Sequence, residues 1–292
     1  MIIVKLQGGL GNQMFQYAFG KYLSEKHNTQ LKLDLHDLLD RTKKSEHHVF
    51  RDYDLDIFNL EAQFASGEEV RKLTRWTNNT LLNKACNRLF GKKKTNIVEP
   101  HTHFSQTIFQ SPANVYLEGY WQSEKYFKPI EQQIRQCFQV KEELSSQAKD
   151  LLGTIQATNS VCVNIRRGDF VVNKYHSVCD EQYYIAAEKI MCSKVQNPHF
   201  YVFSDEIEWC MENLKFSVPV TFVTHQYAGK KFQDYFRLMS ACKHFIIPNS
   251  SFAWWATWMN DNKEKVVVAP KKWVSDETKK FDIHLDNWIT IE

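Results

Sequence analysis

The chain has 292 residues, 43% hydrophobic and 24% charged, which excludes a disordered, collagen-like or coiled-coil protein. Its 37 lysines and arginines against 34 aspartates and glutamates leave a net charge of +3, far below the basic excess of a surface for long nucleic acid. At about 150 residues per domain, the length predicts two domains.

The opening reads as strand, glycine loop, helix, strand. Ile2-Ile3-Val4 is β-branched, and Gly8-Gly9-Leu10-Gly11 breaks the run. Met14, Phe15, Ala18, Phe19, Tyr22 and Leu23 then recur at helical spacing, and Leu31, Leu33 and Leu35 alternate with Lys32 and Asp34. Because Met1–Lys5 leads straight into the glycine loop, no signal peptide is expected. The uncharged stretches Pro100–Leu117 and His244–Asn260 are broken by histidine, proline, asparagine and serine, so neither predicts a transmembrane helix. Seven cysteines without a CxxC pair predict reduced thiols and no zinc ribbon.

Residues 40–130 read as helices and loops decorating the first domain. Within them Asp52-Tyr53-Asp54-Leu55-Asp56 contains DxD twice, a pattern that can hold a metal-bound nucleotide sugar. Tyr53, Leu55 and Ile57 alternate with the aspartates, which predicts a half-buried strand instead. No HExxH occurs, and His101-Thr102-His103 is a weak pair, so no metal site is expected.

From Leu144 the pattern clears. Helices are expected over Leu144–Ile155, Asp180–Val195, Glu206–Leu214, Phe232–Ala241 and Ser251–Asn260. They alternate with strands at Val161–Ile165, Phe200–Phe203, Val220–Val223, Phe245–Ile247 and Val266–Val268. Such alternation predicts a doubly wound parallel sheet, and two α/β domains make a cleft between them the default site.

Four clusters carry candidate chemistry. Arg166-Arg167-Gly168-Asp169 follows a predicted strand, where paired arginines suit a phosphate or carboxylate. Asp169 would repel a phosphate, so it reads as orienting an arginine. A structural salt bridge is the plainer alternative. Asn249-Ser250-Ser251-Phe252 opens a helix, either as an anion site or as an ordinary serine cap. The Trp254, Trp255 and Trp258 that follow read as core. Asp205, at another strand end, suits nucleoside hydroxyls or a base edge, or simply caps the next helix. Gly11, Asn12 and Gln13 form a helix start suited to an anion or a sugar hydroxyl.

Gly8-Gly9-Leu10-Gly11-Asn12-Gln13-Met14-Phe15-Gln16-Tyr17-Ala18 resembles the opening of the α-1,2-fucosyltransferases of glycosyltransferase family 11. So do Gly119-Tyr120-Trp121-Gln122-Ser123-Glu124-Lys125-Tyr126-Phe127, Arg166-Arg167-Gly168-Asp169, Ser204-Asp205 and Asn249-Ser250-Ser251-Phe252-Ala253-Trp254-Trp255. The resemblance implies an α/β, GT-B-like fold of two Rossmann-like doubly wound domains facing a cleft. We place the acceptor-side domain at 1–155 and the GDP-fucose-binding domain at 156–292. It implies transfer of fucose from GDP-fucose, with inversion, to a hydroxyl of a galactose-terminated oligosaccharide or glycolipid. No cofactor and no essential metal are implied. A cytoplasmic protein is expected, with weak association at the inner face of a membrane as an allowed addition.

Matched to the family's HxRRxD pattern, Arg166 would hold the diphosphate, Arg167 would support it, and Ser250-Ser251-Phe252 would close the phosphate site. Asn164 stands where the family usually has His, and Asn cannot titrate. Glu124 and Asp169 are the weak candidates for the general base.

Two other readings compete. An NAD-dependent oxidoreductase would use Gly9 and Gly11 with Asp34 about 20 residues on, but Met14 occupies the third glycine position. A non-catalytic glycan-binding protein would use the aromatics, which are 14% of residues.

Overall fold

A computed structural model describes residues 1–42, 49–75, 88–89, 91, 93–168, 170, 173 and 175–292. The chain divides into two units, Met1–Gln139 with Lys280–Ile283, and Val140–Lys279 with His284–Glu292. The boundary therefore precedes the helix around residue 150, which the sequence reading had assigned to the first domain.

The first unit is built on a four-stranded parallel sheet of order β2-β1-β4-β3, formed by β1 (Ile2–Lys5), β2 (Leu31–Asp34), β3 (Asn96–Val98) and β4 (Val115–Glu118). β1 pairs Ile2 with Leu31 on one side and with Val115 on the other. Flanked on both edges, its Ile2, Ile3 and Val4 are fully buried, as a central parallel strand requires. Helix α1 (Leu10–Lys26) follows β1 directly, and α2 (Gly67–Leu73) is started by a capping box between Ser66 and Glu69. Helix α3 (Glu131–Cys137) ends the unit's main run.

Two expectations fail here. β3 and β4 lie inside the stretch read as helices and loops, and β4 is a central strand. The aspartate run is not a strand: Leu55–Ile57 forms a 3-10 turn. Leu55 and Ile57 are buried all the same, so the alternation reported burial correctly while the backbone bonds locally.

The second unit holds a six-stranded parallel sheet of order β10-β9-β8-β5-β6-β7. Its strands are β5 (Asn159–Ile165), β6 (Pro198–Ser204), β7 (Val220–Phe222), β8 (His244–Ile246), β9 (Val267–Pro270) and β10 (Ile289–Ile291). Counted from β5, this is the Rossmann order 3-2-1-4-5-6. Helices α4 (Ser146–Ala157), α5 (Glu181–Lys194), α6 (Ile207–Asn213), α7 (Gln233–Ala241) and α8 (Ser251–Met259) alternate with the strands. The expected helices and strands of this half are all present, and β10 is an addition. Val161, Val163, Tyr183, Met191, Phe200 and Val202 share one core. Trp254, Trp255 and Trp258 are buried, with Trp255 and Trp258 ring centroids 5.2 Å apart. They are core, as expected. Two successive parallel α/β units make the GT-B-like plan. No helix among the described residues is long and apolar enough to cross a membrane.

Candidate functional site

In an open parallel sheet, ligands bind beyond the carboxyl ends of the strands where the strand order reverses. In the second unit that point lies between β5 and β8. Val163 pairs with Ile246, so Arg166 and Asn249 each stand three residues past one rung of the ladder. On the other side Ile165 pairs with Ser204, which sets Arg166 opposite Asp205. Three of the four sequence clusters gather at this edge.

Asp205 organises it. Its Oδ2 lies 2.9 Å from Arg166 Nη1, and its Oδ1 accepts from the Arg167 backbone N–H at 2.9 Å. Gly168 lies against the same carboxylate: a Cβ there would sit 2.5 Å from Asp205 Oδ2. The absent side chain lets the turn close onto Asp205. Arg167 Nε donates to Glu206 at 3.0 Å, and its guanidinium lies 3.4 Å from the centroid of the Trp209 ring, within cation–π range. Arg166 stands 5.7 Å from the Phe170 ring. Both guanidinium groups are thus fixed by carboxylates and aromatic faces while their side chains stay partly exposed. That is the preorganisation an anion-binding arginine needs. Asp169, expected to orient an arginine, lies outside the described residues; Asp205, expected to contact a nucleoside, orients Arg166. Asn164, in the family's His position, is buried and donates to the Phe203 carbonyl at 3.2 Å.

At the β8 end, Asn249 Nδ2 donates to the His176 and Trp273 carbonyls, each at 3.0 Å. Its Oδ1 is buried with no partner among the described residues. An unmet buried acceptor costs about 1–3 kcal/mol, so the position favours a ligand that donates. Ser250 caps α8 by accepting from the Ala253 N–H at 3.5 Å, at the outer limit of a hydrogen bond. The N–H groups of a helix start suit an anion. Ser251 and Phe252 open the helix, and Phe252 packs 5.6 Å from Phe236.

The fourth cluster stands at the reversal of the first unit's sheet, between β1 and β4. Gly11 is buried inside α1. Asn12 Oδ1 accepts from Gln122 Nε2 at 2.8 Å, so the glycine loop and the segment after β4 meet. Gln13 has a different job. It is fully buried, donating to the Gly8 and Asp52 carbonyls and accepting from the Asp54 N–H. Both its N–H groups and its oxygen thus tie the aspartate run to the loop. Gln16, not singled out in the sequence, does the same between Gln7 and the Gly119 carbonyl.

The remaining candidates are engaged elsewhere. Asp52 pairs with Arg41 and is 72% exposed. Among the described residues no three His, Cys, Asp or Glu side chains gather as metal ligands. Glu124 pairs with Lys128 at 3.3 Å. Asp34, the acid an NAD site would use, is buried and accepts from the Tyr116 hydroxyl at 2.7 Å and the His36 N–H at 3.0 Å.

The chain is similar to known proteins throughout. An Escherichia coli alpha-1,2-colitosyltransferase is 34% identical, over 100% of this chain and 99% of that one. The human galactoside alpha-(1,2)-fucosyltransferase 1 is 28% identical over 49% of this chain and 42% of that one. The crystal structure of NodZ alpha-1,6-fucosyltransferase co-crystallized with GDP aligns with a TM-score of 0.49 and 13% identity, covering 88% of this chain and 91% of that one. The family model for glycosyl transferase family 11 matches residues 1–292, and with that match the chain belongs to glycosyltransferase family 11.

Proposed function

We propose that the protein is an inverting α-1,2-fucosyltransferase that moves fucose from GDP-fucose to a hydroxyl of a galactose-terminated glycan, with the donor held by the second unit. The observation that carries this reading is the Arg166–Asp205–Arg167 grip at the reversal point of the Rossmann sheet. Breaking a glycosyl–phosphate bond leaves negative charge on a diphosphate, and fixed donors lower the barrier by meeting that charge as it develops. Arg166, held by Asp205, and the α8 start supply them. The acceptor hydroxyl attacks the anomeric carbon on the face opposite the leaving GDP, so the configuration inverts. Its proton passes to a base, for which the candidates are Asp169 and, once released from Lys128, Glu124. With cationic and N–H donors in place, we propose that no divalent metal is needed. The alpha-1,2 linkage in the names of both relatives supports the linkage assignment.

A second reading has its own support, because the relative similar over the whole chain is named a colitosyltransferase. Colitose is fucose without its 3-hydroxyl, so the two donors differ by one polar group. Initial rates with GDP-fucose and GDP-colitose, against a panel of β-galactosides with linkage and anomeric analysis, test both. Faster transfer of colitose would replace the donor assignment. Transfer of neither sugar to any galactoside would end this reading.

A further inference from the structure

The loop after β7 is held in a conformation that most side chains avoid. Gly229, Lys231 and Phe232 have φ of +65°, +49° and +60°. Two successive side-chain-bearing residues in the left-handed region persist only where their surroundings enforce it, and such sites cluster where function needs them. Here the enforcement is visible. The Asp234 and Tyr235 N–H groups both donate to the Ala228 carbonyl, at 3.0 and 3.3 Å. Gly229 passes so close to Asp234 that a Cβ would sit 2.8 Å from its carboxyl carbon.

The result is an aromatic ring turned outward. Phe232 is 44% exposed, although it lies 5.7 Å from the ring of buried Tyr235. It stands edge-on to His225, with ring centroids 6.0 Å apart at 89°. His225 Nε2 is 3.0 Å from the Ser204 carbonyl. A carbonyl only accepts, so Nε2 carries the proton. This tie fixes the loop to the end of β6, one residue before the Asp205 that holds Arg166.

Strand order gives this position a meaning. In a Rossmann sheet the diphosphate lies at the turn after the first strand and the ribose at an acid ending the second. Arg166 after β5 and Asp205 after β6 occupy those places. A nucleotide laid along that line carries its base towards the third strand, β7, whose loop presents Phe232. Two other rings near the line already face arginines: Trp209 has Arg167 over its face, and Phe170 stands by Arg166.

We propose that Phe232 is the platform on which the purine of the donor nucleotide stacks, the strained backbone serving to turn its ring outward. This rests on the GDP-sugar reading above and adds the residue that holds the base. The test is isothermal titration of the full chain with GDP and with inorganic pyrophosphate, which carries no base. Phe232→Ala should weaken GDP by about tenfold or more, the scale of one base stacked on one aromatic, and leave pyrophosphate within about threefold. Phe232→Trp should restore GDP binding. Unchanged GDP affinity in Phe232→Ala would overturn the inference. So would an equal loss of GDP and pyrophosphate, which would make the ring a scaffold for the phosphate site. Wild-type protein that binds pyrophosphate but gains nothing from the guanosine of GDP would also sink it. Wild-type protein that binds neither would remove the donor assignment itself.

Discussion

Gly168→Ala isolates the geometry of the arginine grip without removing any charge. The new Cβ would stand 2.5 Å from Asp205 Oδ2, whereas ordinary contact begins at 3.4 Å, so the carboxylate must retreat by 3.4 − 2.5 = 0.9 Å. It is tethered by Arg166 on one oxygen and by the Arg167 N–H on the other, each at 2.9 Å. Retreat stretches one bond or drags both arginines along. A misplacement of about 1 Å in a catalytic array costs about 10²-fold, and we expect that loss in kcat/KM with GDP-fucose. Stability should fall by only about 1 kcal/mol, the scale of one partly exposed charged contact. Gly153→Ala is the control. Its added Cβ meets nothing within 4 Å on helix α4, so it should leave turnover alone and stabilise the chain by about 0.5–1 kcal/mol. Melting temperatures and initial rates on the three proteins decide the matter. If Gly168→Ala turns over within threefold of wild type, Asp205 does not position the arginines for the proposed transfer.

Other predictions follow from the same site. Arg166→Ala should cut transfer by about 10²–10³ with the melting temperature nearly held, and Arg166→Lys should also be poor, because a point charge cannot reproduce a two-pronged contact; more than half of wild-type activity in the Ala variant contradicts the assignment. Dialysis against EDTA should leave the rate within a few fold, and a loss above tenfold restored by Mn²⁺ would return the Asp52–Asp56 run to consideration as ligands. GDP should raise the melting temperature more than UDP or ADP at equal concentration; equal protection by all three would end the guanine preference.

The legibility of this chain in its sequence followed the alternation of strands with periodic helices and the direction of burial. β5 and β6 have seven residues each, long enough to show continuous apolar character, and the helices between strands show their period. β7 and β8 have only three residues each, yet periodic helices on both sides mark them; no α-helix separates β3 from β4 or β9 from β10, so β3, β4 and β10 lack that frame, although β4 is central to its sheet. Within the site, the arginines, Asp205 and the asparagine–serine turn were legible as residue types at strand ends. Their connections were not. Arg166 and Asp205 are far apart in sequence and meet only through the β5–β6 register, which no local pattern records. Asn12 and Gln13 looked equivalent beside the glycines. Gln13 and Gln16, three apart, share the inward face of α1 and are buried, so side-chain direction on the helix separates a structural amide from an accessible one.

The short segment Lys280–Ile283 belongs to the first unit although the chain around it belongs to the second. It is bound there by specific contacts: Thr102 donates to the Lys280 carbonyl at 2.7 Å, Phe104 N–H to Asp282 at 2.9 Å, and Lys125 to Asp282 at 3.1 Å. Ile283 is fully buried. During synthesis, then, the N-terminal sheet can form early, but the segment that completes its unit is made only after nearly all of the second unit. The first unit is therefore completed by residues far along the chain, and a fragment ending at residue 139 would lack the anchor that Thr102, Phe104 and Lys125 bind.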